Sequence, residues 1–390
     1  MSIAIEPAGG LSETQRQIVE LAREFARTRI EPYAAEWDRT RHFPRDVLDE
    51  LGRLGFLGMV TPEEDDGMGL DAVTYLLALE ELAAADASIA VSVAIHNAIP
   101  TTMLVRHGSP AQKERWLKPM ARGELLAGFA LSEAESGSDA ASLSARAVRD
   151  GNQWVLSGAK AWATNGATAD LMMIMVRTDR PGARRGAKGI STFIVPTDAA
   201  GYRPGKPEDK LGLCASNTVA IALEDVRLPA DHLLGEEGQG FVYAMEGLDV
   251  GRLGIAIQAV GIARRALEHA LAYCAERKQF GRPLREFEAV QFKHADMATR
   301  VEAARALAHA AAARRDRGDT ITKQASMAKL FASETAMWVT TQAVQLFGGY
   351  GYMRDFPVEK LFRDAKVTEI YEGTSEIQRL VIARGLYPGA

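Results

Sequence analysis

Cysteine is scarce: Cys214 and Cys274 are the only two in 390 residues. They form no CxxC pair and are too few for a disulfide framework, which fits a reducing compartment. Charge of one sign is also lacking. Lys and Arg total 46 against 51 Asp and Glu, and no basic block stands out. Nucleic-acid binding therefore has little support. No apolar run reaches the length needed to cross a bilayer; the best, 89–95, is far too short, so no membrane association is expected. Residues 1–7 show neither a basic region before an apolar core nor an Arg-rich transit pattern. The expectation is a bacterial, cytoplasmic protein; a mature organellar form fits too. The chain has no GxGxxG behind a strand, no GxxxxGK(S/T) and no HExxH. Its seven histidines are scattered without metal spacing, and no Ser or Cys sits in a nucleophile elbow. Triad hydrolysis and metal catalysis lose their footing.

The texture of the chain changes twice, which divides it into 1–125, 126–235 and 236–390. The first part is helical in pattern. Ser12 with Gln15 makes a capping box ahead of Ile18, Leu21, Ala22 and Phe25, which share one face. Gly67-Met68-Gly69 is a loop before an Ala-rich helix over 71–86. In the second part, the runs 153–157, 171–177, 192–195 and 218–223 are short and apolar or alternating, with turn residues between them. That is an antiparallel β signal. No long helix is interleaved, which argues against a parallel Rossmann sheet. In the third part, Leu253, Ile257, Val260, Leu267, Leu271 and Cys274 keep helical spacing. Long helices over 287–315 and 321–346, and one from Thr374 onward, complete a four-helix bundle.

Four segments could carry chemistry. The first runs from Phe129 to Asp139 and crowds Ser132, Ser136 and Ser138 into a turn after a strand. Amides and hydroxyls there can bind a polar ring edge or a phosphate; an ordinary polar turn has the same composition. The second is Ala161-Trp162-Ala163-Thr164-Asn165-Gly166. Trp162 offers a flat face, and Thr164 two residues on would share its side of a strand; a core tryptophan reads the same way. The third joins Arg277 and Phe280 to a later stretch with Gln345, Gly348, Gly349 and Gly351. Arginine suits a helix C-terminus, and glycines either end a helix or admit a ligand. The fourth is Ile370-Tyr371-Glu372-Gly373-Thr374. Thr374 is an N-cap, and Gly373 frees the carboxylate of Glu372 from the helix surface. Glu372 is then either a base or a carboxylate stabilising a helix start.

Taken together, these segments resemble the acyl-CoA dehydrogenase family. Residues 130–142 match its first fingerprint, and 345–364, through Asp355, Lys360 and Asp364, match its second. Trp162 to Gly166 and Ile370 to Thr374 fall in the family's order. The stretches 248–254 and 366–370 look most like short-chain and short-branched-chain members. The resemblance implies a mainly α fold: an N-terminal helical domain, a middle β-barrel and a C-terminal four-helix bundle, assembled as a homotetramer. It implies FAD between the β domain and the bundle. Phe129, Leu131, Ser132, Ser138, Trp162 and Thr164 would touch the flavin and its chain, and Thr374 and Glu376 would hold it from below. Arg277, Phe280, Gln345, Gly348 and Gly349 would reach the FAD of a neighbouring subunit. Asp249 and Arg252 match positions that bind the CoA portion. Ser138, Tyr371 and Gly373 are the other positions expected on the substrate.

The implied reaction is α,β-dehydrogenation of an acyl-CoA. Glu372 removes the α-proton while the β-hydrogen leaves as hydride to the flavin. The Glu372 amide and a flavin ribityl hydroxyl would stabilise the developing enolate. An electron-transfer flavoprotein would take the electrons. Some relatives, the isovaleryl type among them, seat the base just before the arginine corresponding to Arg252. Here that residue is Gly251, which has no acid to offer. Three positions depart from the family pattern: Glu288 for a glutamine, Cys214 for an arginine and Ala134 for a proline. A flavin oxidase or monooxygenase on the same scaffold is the alternative, and the retained Glu372 argues against it. A binding protein that kept the fold without the chemistry would have lost the base.

Overall fold

The computed structural model describes residues 10–179 and 186–387, so the leader reading of residues 1–7 falls outside it. The first helix, Glu13–Phe25, starts as its sequence dictates. The Ser12 hydroxyl accepts from the Gln15 amide, and the Gln15 side chain accepts from the Ser12 amide. Ile18, Ala22 and Phe25 are buried, but Leu21 is exposed. It lies at the margin of the stripe the other three define.

Asp71 caps the helix Ala72–Ala85, and Asp86 caps Ala87–His107. The latter corrects the sequence reading. Its 21 residues do meet the length and apolarity of a membrane span, yet 94% of its most apolar window is buried inside the protein. It is a core helix. Ser92, His96, Asn97 and Thr101 interrupt the apolar run but are buried with it.

From Ala127 to Leu234 the chain forms an eight-stranded sheet. Most pairs are antiparallel, as expected, but Ala127–Ala130 runs parallel to Leu171–Arg177. The two are linked through the hairpin Arg146–Asp150 and Gln153–Thr164 rather than through a helix. A search for strand–helix–strand units misses such a pair. Every residue of Leu171–Arg177 is buried. Met172, Ile174 and Val176 join a cluster inside the sheet, while Met173 and Met175 join the helical core. Burial on both faces is why this strand reads as an unbroken apolar run. Tyr202 and Leu233, from strands at the two ends of the sheet, both pack on the inner cluster, so the sheet curls around it.

Four expected helices follow: Gly240–Glu276, Glu288–Asp316, Thr322–Phe347 and Ser375–Leu386. A fifth, Val358–Val367, was not anticipated; Val358, Leu361 and Ala365 are its buried face. Leu271, expected on the buried side of its helix, is exposed. Gly240–Glu276 is the spine, packing on Thr322–Phe347, Ala87–His107 and Ala72–Ala85. Lys360, its side chain 12% exposed, joins the three parts of the chain. It donates to Asp86 at 2.9 Å and to Asp364 at 2.7 Å, and Asp364 accepts from the Leu213 amide at 2.6 Å. This anchor lies on the helix that leads into the segment around Glu372.

Candidate active site

Between Val358–Val367 and Ser375–Leu386 the backbone takes two left-handed steps, at Glu372 (φ 51°) and Gly373 (φ 96°). A glutamate in that region is strained by about 1 kcal/mol or more, so its surroundings must hold it. Thr374 caps the following helix by accepting from the Ile377 amide. Gln378 Nε2 donates to the Glu372 carbonyl at 3.1 Å and to the Gly373 carbonyl at 2.8 Å. Lys329 Nζ donates to the Gly373 carbonyl at 2.8 Å.

The turn aims the Glu372 carboxylate at Gly251. A Cβ at position 251 would fall on Oε2 and lie 2.8 Å from Cδ and 3.0 Å from Oε1. Gly251 therefore does more than leave the alternative seat empty. Both seats address one volume, and a side chain at 251 excludes Glu372 from it. The two carboxylate oxygens are shut off from solvent and have no hydrogen-bond partner among the described residues. Burial pushes the Glu372 carboxyl up to about 7, against the pull of Lys329 and Arg252.

One turn along the spine, Tyr75 is 1% exposed and its hydroxyl is unpartnered among the described residues. That hydroxyl lies 3.2 Å from where a Gly254 Cβ would be. Further along, Tyr371 donates to Gln258 Oε1, and Gln258 Nε2 donates to the Ala87 carbonyl at 2.7 Å. Gly251, Gly254 and Gln258 share one helix face. The carboxylate thus looks along bare backbone toward a tyrosine hydroxyl and a closed tyrosine–glutamine pair. Arg252 gives a bond to Asp249 at 2.6 Å, and Asp249 accepts from Thr322. These two residues are engaged with each other and with the bundle.

The first and second segments meet on one rim. The Ala161 amide donates to the Ser132 carbonyl at 2.9 Å. Behind them, buried Lys160 bonds Glu133 at 2.8 Å, and Glu133 also accepts from the Ser144 and Ala145 amides. Trp162 sits at a β-bulge, where the register slips between Lys160 and Ala163, with φ 54°. The simple alternation that placed Trp162 and Thr164 on one side does not hold across a bulge. A bulge re-aims its side chain, and the Trp162 indole is 57% exposed. Phe129 and Leu131 lie on or beside the strand that leads to this rim, and Ser138 is exposed in the loop beyond.

The third segment lies elsewhere, at one end of the bundle. The Arg277 guanidinium stands 5.5 Å over the Tyr350 ring, and Tyr273 stacks on Phe347. Gly348 ends its helix at φ 60°, with Gln345 and Gly349 exposed beside it. Phe280 and Gly281, at φ 51° and 80°, make the two-residue turn of a small hairpin. Phe280 is 94% exposed at its tip. Glu376 is exposed in the first turn of Ser375–Leu386.

The departures have local explanations. Glu288 is exposed at the start of its helix, where a negative charge suits the dipole. Cys214 lies 3.9 Å from Arg363 beside Asp38, and burial pushes its thiol up to about 11. Ala134 is exposed in the Glu133–Ser136 turn. Sequence reasoning missed Lys329, Tyr75, Gln258 and Gln378. For Lys329 a signal existed: it falls on the buried face set by Ala325, Ala332 and Ala336.

Comparison with known proteins matches all three parts of the chain. Residues 12–124, 128–226 and 238–387 match the N-terminal, middle and C-terminal domains of acyl-CoA dehydrogenase. An acyl-CoA dehydrogenase of Bacillus subtilis is 45% identical over 96% of this chain and 99% of its own. The mitochondrial short-chain specific acyl-CoA dehydrogenase of Mus musculus is 46% identical over 96% and 90%. The structure of butyryl-CoA dehydrogenase from Megasphaera elsdenii superposes with a TM-score of 0.95 at 40% identity, covering 97% of this chain and 100% of that one. The chain belongs to the acyl-CoA dehydrogenase family.

Proposed function

We propose that Glu372 is the base in an FAD-dependent α,β-dehydrogenation of acyl-CoA thioesters. The observation that carries this is the buried, unpartnered carboxylate, held by a left-handed turn in a space open only because residue 251 is glycine. A carboxyl near 7 is matched to proton abstraction at neutral pH. The Glu372 amide has no acceptor among the described residues, so it is free to donate to the thioester carbonyl as enolate character develops. Tyr75 and the Tyr371–Gln258 pair bound the space ahead of the base and favour a short acyl group.

The rim residues suit FAD. Trp162 presents an exposed ring face, Thr164 ends the same strand, and the adjoining loop offers Ser132 and Ser138. When bound, FAD supplies the acceptor for the β-hydrogen as hydride. Phe129 and Leu131 would shape the rim, and Thr374 and Glu376 would lie beneath. Trp162→Ala is expected to weaken FAD retention about tenfold or more; an unchanged flavin-to-protein ratio after dialysis would deny the indole that role. Exposed Phe280, with Arg277, Gln345, Gly348 and Gly349, supports a homotetramer in which these residues serve a neighbouring subunit's FAD. Asp249 and Arg252 would serve the CoA end, with Ser138, Tyr371 and Gly373 on the substrate. An electron-transfer flavoprotein is the acceptor that completes the cycle. The free cysteines support a cytoplasmic setting.

The test is anaerobic flavin bleaching with short, branched and long acyl-CoA thioesters. The rate should be greatest with a short chain, climb as pH rises through about 7, and then level off as Glu372 ionises. A rate indifferent to pH across that window would contradict the assignment.

A further inference from the structure

We infer that Lys329 is a positioning residue for the base: it pins the Glu372–Gly373 turn and supplies the buried positive charge against which the carboxylate works. The inference rests on Glu372 being the base. Lys329 is 0% exposed in Thr322–Phe347, on a buried face it shares with the small residues Ala325, Ser326, Ala332 and Ser333. Burying an ammonium is costly unless the charge is used or compensated. Its hydrogen bond goes to a neutral acceptor, the Gly373 carbonyl at 2.8 Å, and it makes no ion pair among the described residues. Methionine would fill this volume without burying charge, and glutamine could donate to the same carbonyl. What neither supplies is the cation.

The charge has a target. Glu372 is the foremost of the carboxylates acting on Lys329, ahead of Glu369 and Glu376. Burial brings the ammonium down to about 8, so it remains mostly charged at neutral pH. The groups facing Glu372 are few. Lys329 comes from Thr322–Phe347, Arg252 from the spine, Tyr75 from Ala72–Ala85, and Tyr371 from its own segment. Among the described residues only the first two are cations acting on it, and Arg252 is bonded to Asp249. Lys329 thus grips the carbonyl next to the strained residue and biases the acid on that residue toward its ionised form. Removing the cation raises the carboxyl further, so less of the base is ready at neutral pH.

The experiment compares Lys329→Gln and Lys329→Met holoenzymes with the parent. It follows kcat and KM against pH with a short-chain acyl-CoA. In parallel, infrared difference spectra taken against Glu372→Gln follow the Glu372 carboxyl stretch directly. Lys329→Gln should keep its flavin and hold KM within about twofold. Its acid limb and its infrared titration should both move to higher pH, with kcat at neutral pH down about fivefold, the effect of moving a carboxyl near 7 up by roughly one pH unit. Lys329→Met also loses the grip on Gly373, so its high-pH plateau should fall by about 10²-fold. If Lys329→Gln leaves both titrations in place, the inference is overturned; this arm decides even if Lys329→Met does not fold. If the infrared band titrates normally but ignores Lys329, only this inference fails. If Glu372→Gln itself bleaches at the parent rate, the base is misassigned.

Discussion

Gly251→Ala should fold at least as well as the parent and lose most of its activity. Alanine inside a helix is favoured over glycine by about 0.5–1 kcal/mol, and position 251 lies in the middle of Gly240–Glu276. The new methyl would land on Glu372 Oε2, with Cδ 2.8 Å and Oε1 3.0 Å away. What it meets is the far end of a flexible side chain, so the carboxylate moves and the helix stays. A shift of about 1 Å in a reacting group costs about 10²-fold in rate. Flavin content and melting temperature should hold while the bleaching rate falls by about that factor. A variant that keeps its rate within a few-fold would mean that the carboxylate does not work from this position.

Glu372→Gln should be more stable than the parent at alkaline pH, and far slower. The folded carboxyl sits at about 7 against an ordinary value of 4.5. Folding therefore favours the protonated form. The contribution of this group to stability is full below about 4.5 and is lost as pH rises through about 7. Above that, a buried charge without a hydrogen-bond partner costs up to about 3 kcal/mol. Glutamine stays neutral throughout and avoids the cost. Urea midpoints of the two proteins should agree at low pH and separate at high pH, with the variant ahead. Equal separation at both pH values would show that the carboxyl does not titrate in this window. A residue that costs stability when ionised is the kind that function retains.

Local rules were legible in the sequence and long-range ones were not. The Ser12–Gln15 box and the Thr374 cap were readable because each involves residues three apart. The strand Leu171–Arg177 was readable because burial on both faces leaves a continuous apolar run. Its parallel partner was hidden, since pairing depends on topology rather than composition. Helix Val358–Val367 escaped because half of its ten residues are charged and its buried apolar face is narrow. Leu21 and Leu271 kept helical spacing yet lie outside the buried stripe. At the site, residue chemistry alone left Glu372 as either a base or a helix-end charge; the order of motifs is what favours the base. The fit of Gly251 to the carboxylate could not be read, because it arises where two distant segments meet. The Trp162 bulge was equally hidden, as the slip appears only against Thr218–Pro229.

The most direct measurement is anaerobic stopped-flow bleaching of Glu372→Gln with a saturating short-chain acyl-CoA. The expected result is a protein that keeps its flavin and its acyl-CoA affinity but reduces the flavin at least about 10³-fold more slowly than the parent. Bleaching at the parent rate would show that another group takes the α-proton.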